Sequence, residues 1–383
     1  MRLNSVTHLD GFRAGVRQFI AEHQPGPKHH AGVRAPDASL VPAIRRFIAD
    51  LFEAGYLGAA WPERFGGRPD YDPAEAYVVA EEIARAGTWA PIGAGTHLVA
   101  PALIDFGTPD QQQEYLPRIR SGEHIWCQLF SEPGAGSDLA GLSTRAVLDG
   151  DDWVINGQKV WTTNGHHADF GYLLARTDPT APKHRGITAF ILDMRTPGVD
   201  VRPLREITGT SDFNEVFFDD VRIPSSRVLG PLNEGWKVAN SSLGHERSGV
   251  ASSSVELIRQ LNVLFDMAGE RRADLGRIAT QVLVSDAMSK AVQSHTLAGS
   301  EDAADAAAVK IFFSETNLAL AEAGVELQGA DGILAEGDAG AVDNGWWQDA
   351  FLYARAYTIA GGATEVLKNV IAERALGMPR ESR

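Results

Sequence analysis

Apolar positions recur at intervals of three and four through the first 122 residues. Leu9, Phe12, Val16, Phe19 and Ile20 form one stripe and Ile44, Phe47, Ile48 and Leu51 another, which predicts amphipathic helices. Two starts carry cap signals: Asp72 precedes Pro73 with Glu75 three positions on, and Thr108 precedes Pro109. The stretch PGPKHHAGVRAPDA at 25–38 has no period and reads as a surface loop with solvated His29 and His30. From 123 to 230 the pattern changes to short branched or aromatic runs broken by Gly, Pro, Asp and Asn, among them HIWCQLF, FGYLLART and ITAFILDM. Asp149-Gly150 marks a hairpin and Asn156-Gly157 a second tight turn, so an antiparallel β domain is expected. The helical period returns over 235–298, 302–328 and 344–376.

Helices, then strands, then helices predict an α+β chain of three domains, at 1–122, 123–230 and 231–383. The 383 residues suffice for two or three packed domains, and 44% hydrophobic with 22% charged residues exclude a disordered or fibrous chain. Lys and Arg number 35 against 50 Asp and Glu, and the net charge of −15 repels a polyphosphate backbone, so nucleic acid is excluded as a partner. The single cysteine, Cys127, can form neither an internal disulfide nor a cysteine-rich metal site. No apolar run approaches the roughly 20 residues that cross a bilayer. The opening MRLNSVTHLDGFRAGVRQF lacks the unbroken apolar core of a secretion signal. A cytoplasmic protein without a membrane partner is expected.

Several catalytic signatures are missing: the P-loop, G-x-G-x-x-G, H-E-x-x-H and G-x-S-x-G. Two polar clusters in the β zone remain. The first, Ser131-Glu132-Pro133-Gly134-Ala135-Gly136-Ser137-Asp138, follows an apolar strand; its glycines admit close approach of a ligand to the backbone and its serines offer hydroxyls. The second, Gln158-Lys159-Val160-Trp161-Thr162-Thr163-Asn164-Gly165, sets a large aromatic beside two hydroxyls. Taken singly, the first is an ordinary turn and the tryptophan an ordinary core residue.

In order and spacing, CQLFSEPGAGSDLAGL, DWVINGQKVWTTNGHHADFGYLLART, KHRGITAFILDM, EVFFDDVRIP and GPLNEGWKVA together resemble the acyl-CoA dehydrogenase family from about Thr108 to Gly377. The resemblance implies an N-terminal helical domain, a middle antiparallel β domain and a C-terminal four-helix bundle. It also implies FAD as cofactor, an acyl-CoA substrate, a 2-enoyl-CoA product and an electron-transfer flavoprotein as acceptor. On this resemblance Gln128, Phe130, Ser131, Gly136, Ser137, Trp161, Thr163, Thr364 and Glu365 contact the cofactor, and Ser137 and Arg247 the substrate.

The reaction needs a carboxylate base at the α carbon, because a thioester α proton is only weakly acidic. Many members place that glutamate in a Y-E-G-T segment, but the matching segment here, Thr358 to Glu365, has Gly361 at the position. A minority, including isovaleryl-CoA-type and several bacterial steroid-degradation enzymes, use an L-x-x-E-R motif, matched by Leu243-Gly244-His245-Glu246-Arg247. The resemblance therefore assigns Glu246 as base and the Gly361 amide as a donor to the thioester carbonyl. Locally, Glu246 alone reads as a helical surface carboxylate. The family's R-x-x-F-G segment, which grips FAD across a subunit boundary, is replaced by Arg271-Arg272-Ala273-Asp274-Leu275-Gly276-Arg277, and Gln328 precedes the glycines at 329 and 332. These departures resemble a bacterial branch that assembles from two different chains. A homo- or hetero-oligomer, dimer or tetramer, is expected. The alternative to an enzyme is a non-catalytic partner subunit of a heteromeric acyl-CoA dehydrogenase.

Overall fold

A computed structural model describes residues 7–246, 253–300 and 302–379. The N-terminal layer contains α1 (Asp10–His23), α2 (Val41–Glu53), α3 (Ala74–Ala86), α4 (Ala100–Phe106) and α5 (Pro109–Arg120). Val16 and Ile20 of α1 pack with Phe47 and Leu51 of α2 and with Val79 and Ile83 of α3, as the stripes predict. Arg13 and Arg17 of α1 grip the buried Glu82 of α3 at 2.8 and 2.9 Å. Thr108 and Gln111 form a reciprocal capping box that starts α5.

Eight strands follow: β1 (Trp126–Leu129), β2 (Arg145–Asp149), β3 (Asp152–Thr163), β4 (Phe170–Arg176), β5 (Ile187–Asp193), β6 (Val199–Leu204), β7 (Phe213–Pro224) and β8 (Val228–Leu229). Seven of them lie in the order β6-β7-β3-β2-β4-β5-β8, and β1 pairs with β4 off this path. Most pairs are antiparallel, but the sheet is mixed. One edge of β4 is shared, parallel to β1 along 170–173 and meeting β2 at Arg176. A strand that lends one edge to two partners leaves no periodic signal in the sequence. The Asp149-Gly150 hairpin forms, with Asp149 opposite Asp152 and Gly150 at φ 66°. Asn156-Gly157, by contrast, is not a turn. It lies inside β3 at a bulge against β7, where a Cβ on Gly157 would stand 2.6 Å from Thr144 Oγ1.

Strands β4 and β5 read as unbroken apolar runs because both faces are covered. Tyr172, Leu174, Ile187, Ala189 and Ile191 join the N-terminal helices, whereas Leu173, Ala175, Phe190 and Leu192 meet residues of β2, β3 and β7. Helix α6 (Gly235–Glu246) lies on the first of these faces and contributes Val238 and Ala239 to it. The C-terminal bundle is built from α7 (Ser253–Ala268), α8 (Gly276–Leu297), α9 (Ala303–Gln328) and α10 (Trp346–Tyr357), with the short α11 (Thr364–Val370) after it. Leu257, Leu261, Leu264, Val282, Phe313, Leu320 and Trp347 fill its core.

The 25–38 stretch is not a free surface loop. Arg34 is buried between Asp212 (2.9 Å) and Asp349 (2.5 Å), and His30 lies 3.6 Å from Asp349 and 3.5 Å from Glu336. His30 is therefore held in a cluster, chiefly by Asp349, which raises its pKa. The expectation of solvated histidines fails there because the carboxylates that capture His30 lie more than 300 positions away in the chain.

Candidate functional site

The end of β1 and the end of β3 meet at one edge of the sheet. Beyond Leu129, Phe130 is buried with its ring 4.9 Å from and edge-on to Tyr172, whose hydroxyl is 3.3 Å from Ser242 Oγ on α6. The chain then closes a tight turn, with reciprocal backbone hydrogen bonds between Glu132 and Ala135 at 3.0 and 3.1 Å. Gly136 and Ser137 follow on the exposed rim, and a Cβ at Gly134 or Gly136 would meet nothing within 4 Å. Their backbone is open to approach.

On β3 a second bulge falls between Lys159 and Thr162, and Trp161 within it takes φ 60°, a left-handed conformation unusual for an aromatic residue. The twist throws the indole out of the core. It is 60% exposed, its ring 6.0 Å from and edge-on to Phe213. Asn214 Nδ2 donates to Thr162 O at 2.9 Å, and the Asn164 amide donates to Asp212 O at 3.2 Å. Thr162 Oγ1 and Asn164 Oδ1 are buried without a partner among the described residues. Thr163 is half-buried at the strand end. The Val160 amide donates to Ser131 O at 2.9 Å, so the two polar clusters are bonded directly.

Below this rim lies a buried ion pair that sequence reasoning passed over. Lys159 Nζ, fully buried, is 2.8 Å from Glu132 Oε1 and 2.9 Å from Phe130 O. Burial outweighs the attraction of Glu132 and pushes the Lys159 ammonium down to about 8. Burial acts to raise Glu132, but Lys159 and the Ser143 and Thr144 donors prevail and hold its carboxyl down at about 2. The only signal in the sequence is a lysine at an inward position of an alternating strand.

Gly361 stands on the turn between α10 and α11, and Thr364 and Glu365 open α11. Gly361 and Gly362 take φ 66° and 105°, the Thr364 amide donates to Thr358 O at 3.1 Å, and Lys310 of α9 donates to Gly362 O at 2.6 Å. Gly361 is exposed, and its amide has no acceptor among the described residues. Glu365 is exposed and Thr364 buried. The structure thus bonds Phe130 and Ser131 directly to Lys159 and Val160, next to Trp161, while Gln128 pairs with Tyr172 of β4. No hydrogen bond joins the 358–365 turn to them among the described residues. Glu246 ends α6, and its side chain, like all of Arg247, lies outside the described residues; so do the side chains of Arg271 and Arg272. Arg277 is exposed at the start of α8.

An exposed indole on a rigid bulge, unpartnered buried polar atoms beneath it and open glycine backbone beside it suit a planar, hydrogen-bonding ring system such as a flavin. Among the described residues no group of three or more His, Cys, Asp or Glu is placed to hold a metal ion. Cys127 is buried and its thiol is pushed up to about 12, which removes it as a nucleophile. Two cavities, of about 470 and 810 Å3, lie elsewhere: one is lined by Lys28, Arg259 and Trp346, the other by Arg145, Trp153 and Arg176. Neither includes Ser131 or Trp161.

Comparison with known proteins matches residues 8–123, 127–221 and 233–376 to the N-terminal, middle and C-terminal domains of acyl-CoA dehydrogenase. Acyl-CoA dehydrogenase IpdE1 of Mycobacterium tuberculosis is 37% identical over 98% of this chain and 99% of its own length. Acyl-CoA dehydrogenase FadE34 of the same organism is 38% identical over 99% of this chain, which spans about half (52%) of that relative. A solved structure described as the Tcur3481-Tcur3483 steroid ACAD superposes with a TM-score of 0.89 at 32% identity, covering all of both chains. No helix among the described residues is long and apolar enough to cross a membrane.

Proposed function

Because the chain belongs to the acyl-CoA dehydrogenase family of FAD-dependent oxidoreductases, we propose that it removes the α and β hydrogens of an acyl-CoA thioester to give the 2-enoyl-CoA. FAD, when bound, accepts the β hydrogen as hydride at N5. With FAD bound, Ser131, Thr163, Gln128 and the backbone at Gly136 would hydrogen-bond it, Trp161 would shield it from water, and Thr364 and Glu365 would contact it. Glu246 takes the α proton. Helix α6 packs on the β4–β5 face, and Ser242, four positions before Glu246, approaches Tyr172 beneath Phe130. The Gly361 amide, without an acceptor of its own, donates to the thioester carbonyl and stabilises negative charge as it develops. Ser137 and Arg247 contact the CoA thioester. The observation that carries the reading is the direct bond between the two motif clusters at an exposed, strained tryptophan.

The acyl group is of steroid or other polycyclic type. The relative described as a steroid ACAD supports this, as does the open space at Gly361, where a Cβ would meet only Lys310 Cε at 4.0 Å. Electrons leave to an electron-transfer flavoprotein, in the cytoplasm. The paired name of the same solved relative favours assembly with a second chain. It keeps alive one other reading, a non-catalytic subunit of such a pair.

Purification of the chain alone separates the two. A yellow protein whose flavin bleaches anaerobically with a steroid-type acyl-CoA supports the enzyme, and a colourless folded one the partner subunit. Glu246→Gln is expected to retain the flavin and slow bleaching by roughly hundredfold or more, the scale of a general base. Bleaching at the native rate refutes the assignment.

A further inference from the structure

The Lys159–Glu132 pair has no part in the proposed chemistry, yet it lies directly under both polar clusters. We propose that Lys159 and Glu132 are positioning residues, a clamp that fixes the separation and tilt of Ser131 and Trp161 so that FAD can seat between them. The inference rests on the flavoprotein reading above and deepens it.

The geometry is specific. Lys159 Nζ binds the carbonyl of Phe130 and the carboxylate of Glu132, the residues on either side of Ser131. The Val160 amide takes the carbonyl of Ser131 itself. Phe130, Ser131 and Glu132 are therefore fastened to Lys159 and Val160, where the bulge that turns Trp161 outward begins. The carboxylate is anchored in turn: Ser143 N and Oγ reach Glu132 Oε2 at 2.7 and 2.8 Å, and Thr144 N reaches Oε1 at 2.9 Å. Stability alone does not call for such an arrangement, because a buried ion pair is often replaced by apolar residues of similar size at no loss. What an apolar pair lacks is direction. Five charge-assisted hydrogen bonds, two from Lys159 and three more onto Glu132, hold one register between the loop and the strand. A left-handed tryptophan persists only where its surroundings over-determine it.

The test is the double variant Lys159→Met with Glu132→Leu, which removes both charges together and leaves neither buried alone. It is expected to keep the native far-UV spectrum while its FAD affinity, by fluorescence titration, falls at least about tenfold. The visible circular dichroism of its bound flavin also changes. A folded double variant with native affinity and native flavin spectrum overturns the proposal. Should the double variant not fold, Ser143→Ala keeps both charges and removes one anchor. A several-fold weaker FAD affinity at unchanged melting temperature then upholds the clamp, and native affinity overturns it. The parent reading fails separately, when the unaltered protein itself takes up no FAD.

Discussion

Ser131, Trp161 and Thr163 stand in motifs whose order and spacing carry the family resemblance, and the structure bonds their segments together. Lys159 and Glu132 were printed in the same two motifs but carried no visible role. A lysine in a strand reads as solvent-facing until its partner, 27 positions earlier, is known to lie beside it. The pair has a measurable consequence. The folded carboxyl of Glu132 sits well below its ordinary 4.5, at about 2, so its contribution to stability is complete above about 4.5 and is lost as pH falls toward 2. Glu82, held low by Arg17 and Arg13 against the effect of its burial, acts in the same direction. Urea midpoints are expected to drop progressively between pH 4.5 and 2. Glu132→Gln should start lower, with Lys159 left uncompensated, and fall less steeply. Parallel curves for the two proteins would contradict this account.

Elements were most legible where one face alone is buried. The stripes of α1 and α2 and the Thr108 cap of α5 need only local sequence to be recognised. β3 was harder, since its two bulges break the period of two and Asn156-Gly157 mimics a hairpin turn. Helix α9 is a third case. It packs against helices on several sides, and its exposed positions, such as Glu315, Glu322 and Glu326, are few, so its polarity pattern says little about which neighbour lies where. One residue there records the packing: Gly324, where an added Cβ would stand 2.0 Å from Trp347 Cε3. In an open helix Gly→Ala gains about 0.5–1 kcal/mol. At Gly324 it is expected to cost about 1–3 kcal/mol instead, because the fully buried indole has no room to withdraw. Thermal melts of Gly324→Ala decide the sign, and an increase in melting temperature would show that the α9–α10 contact yields.

For the molecule as a whole, the succession of helical, β and helical zones was legible from periodicity, but the ties between zones were not. The 25–38 stretch, without any period, turns out to hold all three together. Arg34 joins the β6–β7 connection through Asp212 and α10 through Asp349, accepts the Tyr353 ring at 4.3 Å beneath its guanidinium and donates to Ala31 O at 2.6 Å. The Ala35 amide adds a second bond to Asp212 at 2.8 Å. Asp212 also accepts, through its backbone carbonyl, from the Asn164 amide beside the proposed flavin shelf, so the strut reaches the site. Removing Arg34 takes the shared cation away from two buried carboxylates. The expected cost of Arg34→Ala is therefore about 3–5 kcal/mol, the scale of an uncompensated buried charge, rather than the fraction of that lost at a surface pair. Lysine is no substitute, since one ammonium cannot serve both carboxylates in the fork geometry that the guanidinium provides. Asp349→Asn placed in the Arg34→Ala background should restore part of the loss by removing one of the stranded charges, and that recovery is the decisive measurement. If the double variant melts no higher than Arg34→Ala, the strut stabilises by packing against Tyr353 alone and the charges are incidental.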